Sequence, residues 1–225
     1  MRTCVIIPTY NESKEIAGLI NRITKLGLQV IIIDDGSLDD TAGIAASGGA
    51  KVLRNDSNLG KGTALIKGYN FAVAQGFDAV ISMDGDGQHS CDDIRTFIQK
   101  AEVSQSSVIV GNRMAMTKEM PFLRVLTNRF MSRLISLITK QHIPDSQCGF
   151  RLIKKEVLQK MGFSTSKYET ESEILIKAAR LGFKIESVPI KTIYSGQKSQ
   201  INPVIDTLRF LRFLIFEFLR SFKHA

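Results

Sequence analysis

Asp84-Gly85-Asp86-Gly87-Gln88-His89 packs two carboxylates, an amide and an imidazole into six residues, with glycines between the first polar side chains. The residues ahead of it, Val80-Ile81-Ser82-Met83, tolerate a strand. A strand repeats every second residue, so Asp84 and Asp86 point the same way, and Gln88 follows if the extension holds. Hard oxygen donors gathered at a strand end suit Mg2+ or Mn2+, a cation that keeps positions open for water and substrate phosphate. The glycines let the chain turn and let a bulky ligand approach the backbone. Taken alone, Asp-Gly-Asp is more often an acidic turn, and no bidentate Glu follows to make it a calcium loop.

Its meaning depends on the elements that hold it. Cys4-Val5-Ile6-Ile7 and Val30-Ile31-Ile32-Ile33 are apolar runs bounded by turn residues, and Lys51-Val52-Leu53 and Val108-Ile109-Val110 are two further strand candidates. Between them come helical patterns, the first with Ile16, Leu19, Ile20 and Ile23 on one face. Others open at Asp39-Asp40-Thr41, at Asn58-Leu59-Gly60-Lys61-Gly62-Thr63 and near Asp92. Strand and helix alternate, and the strands are continuously apolar rather than alternating. That predicts an α/β fold, a mostly parallel sheet with helices on both faces.

Ligands of such sheets sit beyond the carboxyl ends of the strands. Three of those ends are polar here: Thr9-Tyr10-Asn11-Glu12, Asp34-Asp35-Gly36-Ser37 and Asp84-Gly85-Asp86. Each alone reads equally well as a helix cap or a turn. Together they place acids along one rim, where they repel one another unless a cation or a hydrogen-bonding ligand holds them.

The composition sets the frame. The 225 residues suffice for one large domain, or a domain with an appendage. With 44% hydrophobic and 23% charged residues the chain is globular rather than disordered. The net charge of +8 implies anionic partners. No aromatic stacking array or basic recognition helix is present, and the acidic rim opposes a nucleic acid partner. Cys4, Cys91 and Cys148 lack metal-ligand spacing and fit buried thiols in a reducing compartment. The chain enters its first strand without signal-peptide anatomy, so a cytoplasmic setting is expected.

Ile7-Pro8-Thr9-Tyr10-Asn11-Glu12, Ile33-Asp34-Asp35-Gly36-Ser37 and Asp84-Gly85-Asp86-Gly87-Gln88-His89 resemble the signature of family 2 glycosyltransferases with the GT-A fold. Within it, Gly111-Asn112-Arg113, Asp145-Ser146-Gln147-Cys148-Gly149-Phe150-Arg151 and Val188-Pro189-Ile190 resemble the dolichol-phosphate mannose synthase branch, the polyprenyl-phosphate glycosyltransferases. The resemblance covers roughly residues 3 to 200. It implies an inverting, metal-dependent hexosyltransferase that moves mannose or glucose from a GDP- or UDP-linked sugar to a polyprenyl or dolichyl phosphate. Two alternatives stay open: a family 2 enzyme with a soluble or glycan acceptor, and a sugar-phosphate nucleotidyltransferase.

The same resemblance assigns roles. Asp84, Asp86 and Gln88 would bind Mg2+ or Mn2+, while Pro8, Tyr10, Glu12, Asp35 and, at even odds with a structural role, Asp34 would form the nucleotide-sugar pocket. Lys61 lacks the P-loop spacing and reads either as a phosphate neighbour or as a solvated lysine. Arg113, Arg124 and Arg151 would serve phosphates, for which guanidinium forks are suited. Asp145 reads as an orienting group or a metal-site neighbour rather than a general base, because a phosphate monoester with a second pKa near ~6 is already ionised. Glu171 and Glu173 open a helix, where acids favour the dipole, and Glu173 is assigned to the sugar or to an active-site arginine. His89 reads as a turn residue. One departure from the branch follows the Val-Pro-Ile strand: no arginine occurs there, and Lys198 is the charge on offer.

The tail divides from the rest. Residues 1–201 read as the catalytic domain and 202–225 as an amphipathic helix. Asp206, Arg209, Arg212, Glu217 and Arg220 share one side of it, opposite leucines and phenylalanines. Five charges oppose spanning a bilayer. The tail is expected either to lie on the cytosolic face of a membrane or to pack on the domain or a small membrane-anchoring subunit. Phe122 to Ile138 forms a second helix mixing apolar residues with Arg124, Arg129 and Arg133.

Overall fold

In the computed structural model the described residues are 1–117, 120–163 and 169–193, with Phe210, Arg212 and Leu214 further on. The tail expected at 202–225 and the Lys198 position therefore lie almost wholly outside the described residues. The chain begins with strand β1 (Thr3–Thr9), helix α1 (Ile16–Thr24), β2 (Gln29–Asp34), α2 (Thr41–Ser47), β3 (Lys51–Arg54), α3 (Lys61–Ala74) and β4 (Ala79–Ser82). It continues with α4 (Ile94–Val103), β5 (Val108–Asn112), α5 (Phe122–Thr139), β6 (Arg151–Lys154), α6 (Lys155–Lys160), α7 (Glu169–Arg180) and β7 (Ile185–Pro189).

The described strands form one seven-stranded sheet in the order β3-β2-β1-β4-β6-β5-β7. Only β6 runs antiparallel, against β4 on one side and β5 on the other. β1, β2 and β4 are apolar through their middles because helices cover both faces, and their Val and Ile side chains are enclosed. β3 is a sheet edge and only half-buried. α1 buries Ile16, Leu19, Ile20 and Ile23, the stripe its periodicity predicted. α3 comes close to the sheet at Gly68, where a Cβ would lie 2.7 Å from Ile33 Cδ1.

Register decides what reaches the rim. Thr9 pairs with Asp34 and Asp34 with Arg54, so β1, β2 and β3 end level with one another. β4 ends two residues before Asp84, and Met83 N still donates to Ile6 O at 3.1 Å. Because β6 is reversed, its start rather than its end arrives at this rim, with Arg151 opposite Ser82 and Val110. The loop ahead of β6 thus comes to lie beside Asp84. The sheet is mixed in this one place, and the mixing is what completes the site.

Candidate active site

The rim is held by backbone capping before any catalytic group is placed. Asn11 has φ 59°, a left-handed conformation that asparagine tolerates. Its N–H donates to Ser37 Oγ at 2.9 Å and its Oδ1 accepts from Leu38 N at 2.8 Å. Glu12 N donates to Thr41 Oγ1 at 2.9 Å. The turns after β1 and β2 are therefore tied to each other. Tyr10 and Pro8 remain half-buried at the head of this pair of turns.

The neighbouring carboxylates of the second cluster divide the work. Asp34 is fully buried, accepts from Ser37 N and lies 3.1 Å from Arg54 Nε, so it serves the sheet edge. Of the two uses open to it from sequence, the structural one is present. Asp35 reaches the other way, accepting from Asn55 Nδ2 at 2.8 Å, Leu59 N at 3.0 Å and Gly60 N at 2.8 Å. It fixes the loop that delivers Lys61.

Lys61 is not the solvated lysine that its missing P-loop spacing allowed. Its Nζ sits 2.6 Å from Asp84 Oδ1 and 2.8 Å from Glu171 Oε1. Burial alone would lower the ammonium's pKa, but the two carboxylates raise it above the ordinary lysine value. Burial likewise works against Asp84, and Lys61 with His89 nonetheless holds its carboxyl well below the usual range. Asp35, Gly60, Lys61 and Asp84 thus form one chain of contacts across the rim.

Asp86 has no such counterion. Burial, then the Asp84 charge, pushes its carboxyl up, although Gln88 N donates to Oδ1 at 3.0 Å. Glu12 is pushed up to about 7 by burial first and then by Asp86, Glu15, Asp39 and Asp84. Glu15 approaches the same turn, since a Cβ on Gly87 would lie 3.1 Å from its Oε2. Carboxylates crowded until they hold protons more tightly than usual are a donor set that fits a hard divalent cation. Among the described residues no three His, Cys, Asp or Glu side chains converge as a ready-made metal cluster. Asp84 is engaged by Lys61, so a cation held by Asp84 and Asp86 would have to share Asp84 with that ammonium.

Three sequence assignments take a different form. Arg151 is almost entirely buried and donates to the carbonyls of Cys148, Ser146 and Glu171. Its fork ties the 146–148 loop to the start of α7, so it is a scaffold rather than a phosphate ligand. Arg113 is buried too, with Nε 2.8 Å from Asp145 Oδ2 and Nη2 2.9 Å from Oδ1. Desolvation opposes that guanidinium, and Asp145 more than offsets it, while Arg113 holds the Asp145 carboxyl below its usual range. Asp145 thus accepts from both Nε and Nη2 of Arg113. Glu173 is buried and pairs with Lys177 at 2.5 Å. Arg124 stands half-buried on the first turn of α5, outside this network.

The sequence reading missed Glu171, Gly149 and His89. By sequence Glu171 reads as a helix-dipole acid, yet it is the second anchor of Lys61. Gly149 leaves room for Asp84, since a Cβ there would lie 2.7 Å from Oδ1. His89 is not an exposed turn residue: its ring is buried 5.2 Å from Phe150, Nε2 lies 3.5 Å from Asp84 Oδ2, and its backbone bridges Thr192. Glu171 and Gly149 lie far along the chain from Asp84, and nothing local in their spacing points back to it.

With the geometry set out, comparison with known proteins gives a consistent result. Residues 4–162 match the profile of Glycosyl transferase family 2. The UDP-N-acetylglucosamine–dolichyl-phosphate N-acetylglucosaminyltransferase of Methanococcus voltae is 34% identical, over 85% of each chain. The polyprenol monophosphomannose synthase of Mycolicibacterium smegmatis is 26% identical, over 84% of this chain and 76% of its own. Among solved structures, glucosyl-3-phosphoglycerate synthase from Mycobacterium tuberculosis, in complex with Mn2+, UDP and phosphoglyceric acid, superposes with a TM-score of 0.69. That alignment covers 93% of this chain and 74% of the other at 21% identity, and it establishes the GT-A fold.

Proposed function

Because this chain belongs to glycosyl transferase family 2, in its dolichol-phosphate mannose synthase-like branch, we propose that it transfers a hexose from a nucleoside-diphosphate sugar to a polyprenyl phosphate, with inversion. The observation that carries the reading is the crowded rim of Glu12, Asp84 and Asp86, with Lys61 lodged among the acids. A rim in which acids outnumber the one lysine among them is suited to a cation and a diphosphate together. The names of two relatives supply the lipid-phosphate acceptor.

In this reading Asp84, Asp86 and Gln88 hold Mg2+ or Mn2+, which when bound offsets the charge that builds on the departing diphosphate. Pro8, Tyr10 and Glu12 face the nucleoside, and Asp35 acts through the loop it fixes. An acceptor phosphate oxygen attacks the anomeric carbon. The bond from that carbon to the donor phosphate breaks, and the nucleoside diphosphate leaves with the electron pair. The acceptor is already ionised at neutral pH, so no strong base is needed, and Asp145, locked to Arg113, is not asked to be one. Arg124 is left as the arginine with room to meet a phosphate. The setting would be the cytosolic face of a membrane, with or without a small anchoring subunit.

The test is a donor panel of GDP-mannose, UDP-glucose and UDP-N-acetylglucosamine, with and without Mn2+ or Mg2+, against polyprenyl phosphate, free sugars and 3-phosphoglycerate. Metal-dependent release of nucleoside diphosphate with a lipid-linked sugar as product is the expected result. Transfer only to a soluble acceptor would overturn the lipid assignment, and release of pyrophosphate would make the protein a nucleotidyltransferase.

A further inference from the structure

Lys61 is tied down at its backbone and shared at its tip. It opens α3, and Asp35 accepts from the N–H groups of Leu59 and Gly60 just before it. Its Nζ lies 2.6 Å from Asp84 Oδ1 and 2.8 Å from Glu171 Oε1. Glu171 is held as firmly: it is buried near the start of α7, and the buried Arg151 donates to its carbonyl. Both main chains are fixed, so what can move is the flexible four-carbon stem of the lysine.

Asp84 is backed by main chain. A Cβ on Gly149 would lie 2.7 Å from its Oδ1 and 2.9 Å from its Oδ2. His89 Nε2 stands 3.5 Å from Oδ2. A divalent cation drawn to Asp84 and Asp86 therefore meets an ammonium already on Asp84. Two cations on one carboxylate repel each other, and the ammonium is the one with a second anchor.

We propose that Glu171 is a positioning residue: it keeps Lys61 at the rim when a divalent cation takes Asp84, and so presents the ammonium to the diphosphate that arrives with the cation. This deepens the metal-and-donor reading above and rests on it. A part-buried charge shared by two carboxylates leaves one of them at low cost only if the other holds it or a new anion replaces the loss. Glu171 supplies the first condition and the donor phosphates the second. A helix-dipole acid has no need of a lysine 110 residues away in the chain.

The experiment is calorimetric titration of the full chain with GDP and with UDP at saturating Mn2+, following whichever binds wild type more tightly. The forms compared are wild type, Glu171→Gln, Glu171→Asp, Lys61→Met and Lys61→Met combined with each Glu171 variant. Charge alone and positioning predict opposite signs. Taking a carboxylate away from an anion site tightens diphosphate binding if only the field matters. If Glu171 holds Lys61 in place, Glu171→Gln should weaken binding about tenfold or more, the scale of a hydrogen bond to a charged group. Lys61→Met should weaken it at least as much, and adding Glu171→Gln to Lys61→Met should cost nothing further. Glu171→Asp, which keeps the charge on a shorter stem, should show a smaller loss that Lys61→Met also abolishes. This second variant carries the test if Glu171→Gln does not fold. Without nucleotide, Lys61→Met should bind Mn2+ more tightly than wild type, because the competing ammonium is gone.

Unchanged or tighter diphosphate binding by the Glu171 variants overturns the proposal. So does an equal loss with and without Lys61, which makes Glu171 act independently of the lysine. Mn2+ binding to Lys61→Met that is no tighter than to wild type overturns it too. In each of these cases wild type still binds its nucleotide with Mn2+, and the donor reading stands. A wild type that binds neither GDP nor UDP with Mn2+ removes the donor reading, and the proposal falls with it.

Discussion

Lys61 stands where a divalent ion and a diphosphate would have to negotiate charge. Its single charge is shared between Asp84 and Glu171, and Asp86 and Glu12 are the acids whose carboxyls are pushed up. Asp86→Asn should remove a hard-oxygen ligand while relieving the repulsion between acids. Turnover is expected to fall about 10²–10³-fold, the range for losing one charge-stabilising group, with an unchanged or slightly higher thermal midpoint. Full activity of the variant at saturating Mn2+ would reject the ligand assignment. Glu12 predicts a pH signature. Its carboxyl is raised from an ordinary 4.5 to about 7, so the folded state holds this proton more tightly than the unfolded chain. The resulting stability is complete below pH 4.5 and is lost as pH rises through about 7. The metal-free thermal midpoint should therefore decline from pH 5 to pH 8. Glu12→Gln should flatten that decline, and Mn2+ should raise the midpoint more at pH 8 than at pH 5.

Between elements, the decisive contact is the one that locks the end of β5 to the loop ahead of β6. Arg113 and Asp145 are both buried and bonded through two guanidinium nitrogens. Asp145→Asn leaves the guanidinium without its counter-charge, and breaking such a pair costs about 3–5 kcal/mol. Urea unfolding should show it as a lower midpoint with an unchanged slope. A cost below about 1 kcal/mol, the scale of a surface pair, would instead free Arg113 for a phosphate. This is also where sequence reading reached its limit. The apolar runs of β1, β2 and β4 and the stripe of α1 are local patterns, and they were legible. So was the common rim of the polar ends of β1, β2 and β4, because parallel strands bring their carboxyl ends to one side whatever lies between. Strand β6 was not: Arg151-Leu152-Ile153-Lys154 is a short run with a buried arginine at its head. Its reversed direction follows from its pairing with β4 and β5, both far upstream in the chain. Arginine types likewise announced phosphate chemistry, while the actual partners of Arg151 are main-chain carbonyls that no side-chain pattern reveals.

Across the whole molecule, the question is whether the chain ends as an appendage or as part of the domain. The net charge of +8 coexists with an acid rim, so positive charge must lie elsewhere on the surface, and α5 carries three of the arginines. The sequence divides the C-terminal segment from residue 202 as an amphipathic helix that lies on a membrane or packs on the domain or a partner. Phe210 is buried in the main core, and Leu214 packs half-buried against it, with Arg212 exposed between them. Phe210 and Leu214 are thereby tied to the domain. Truncation after residue 201 should therefore do more than release the protein from vesicles. Phe210→Ala removes the buried ring alone, and a core phenylalanine truncated in this way costs about 3–5 kcal/mol. Truncation should lower the urea midpoint by at least as much as the point variant does. If both forms unfold with the wild-type midpoint, the tail is an independent appendage and its apolar face is free for a membrane or a partner.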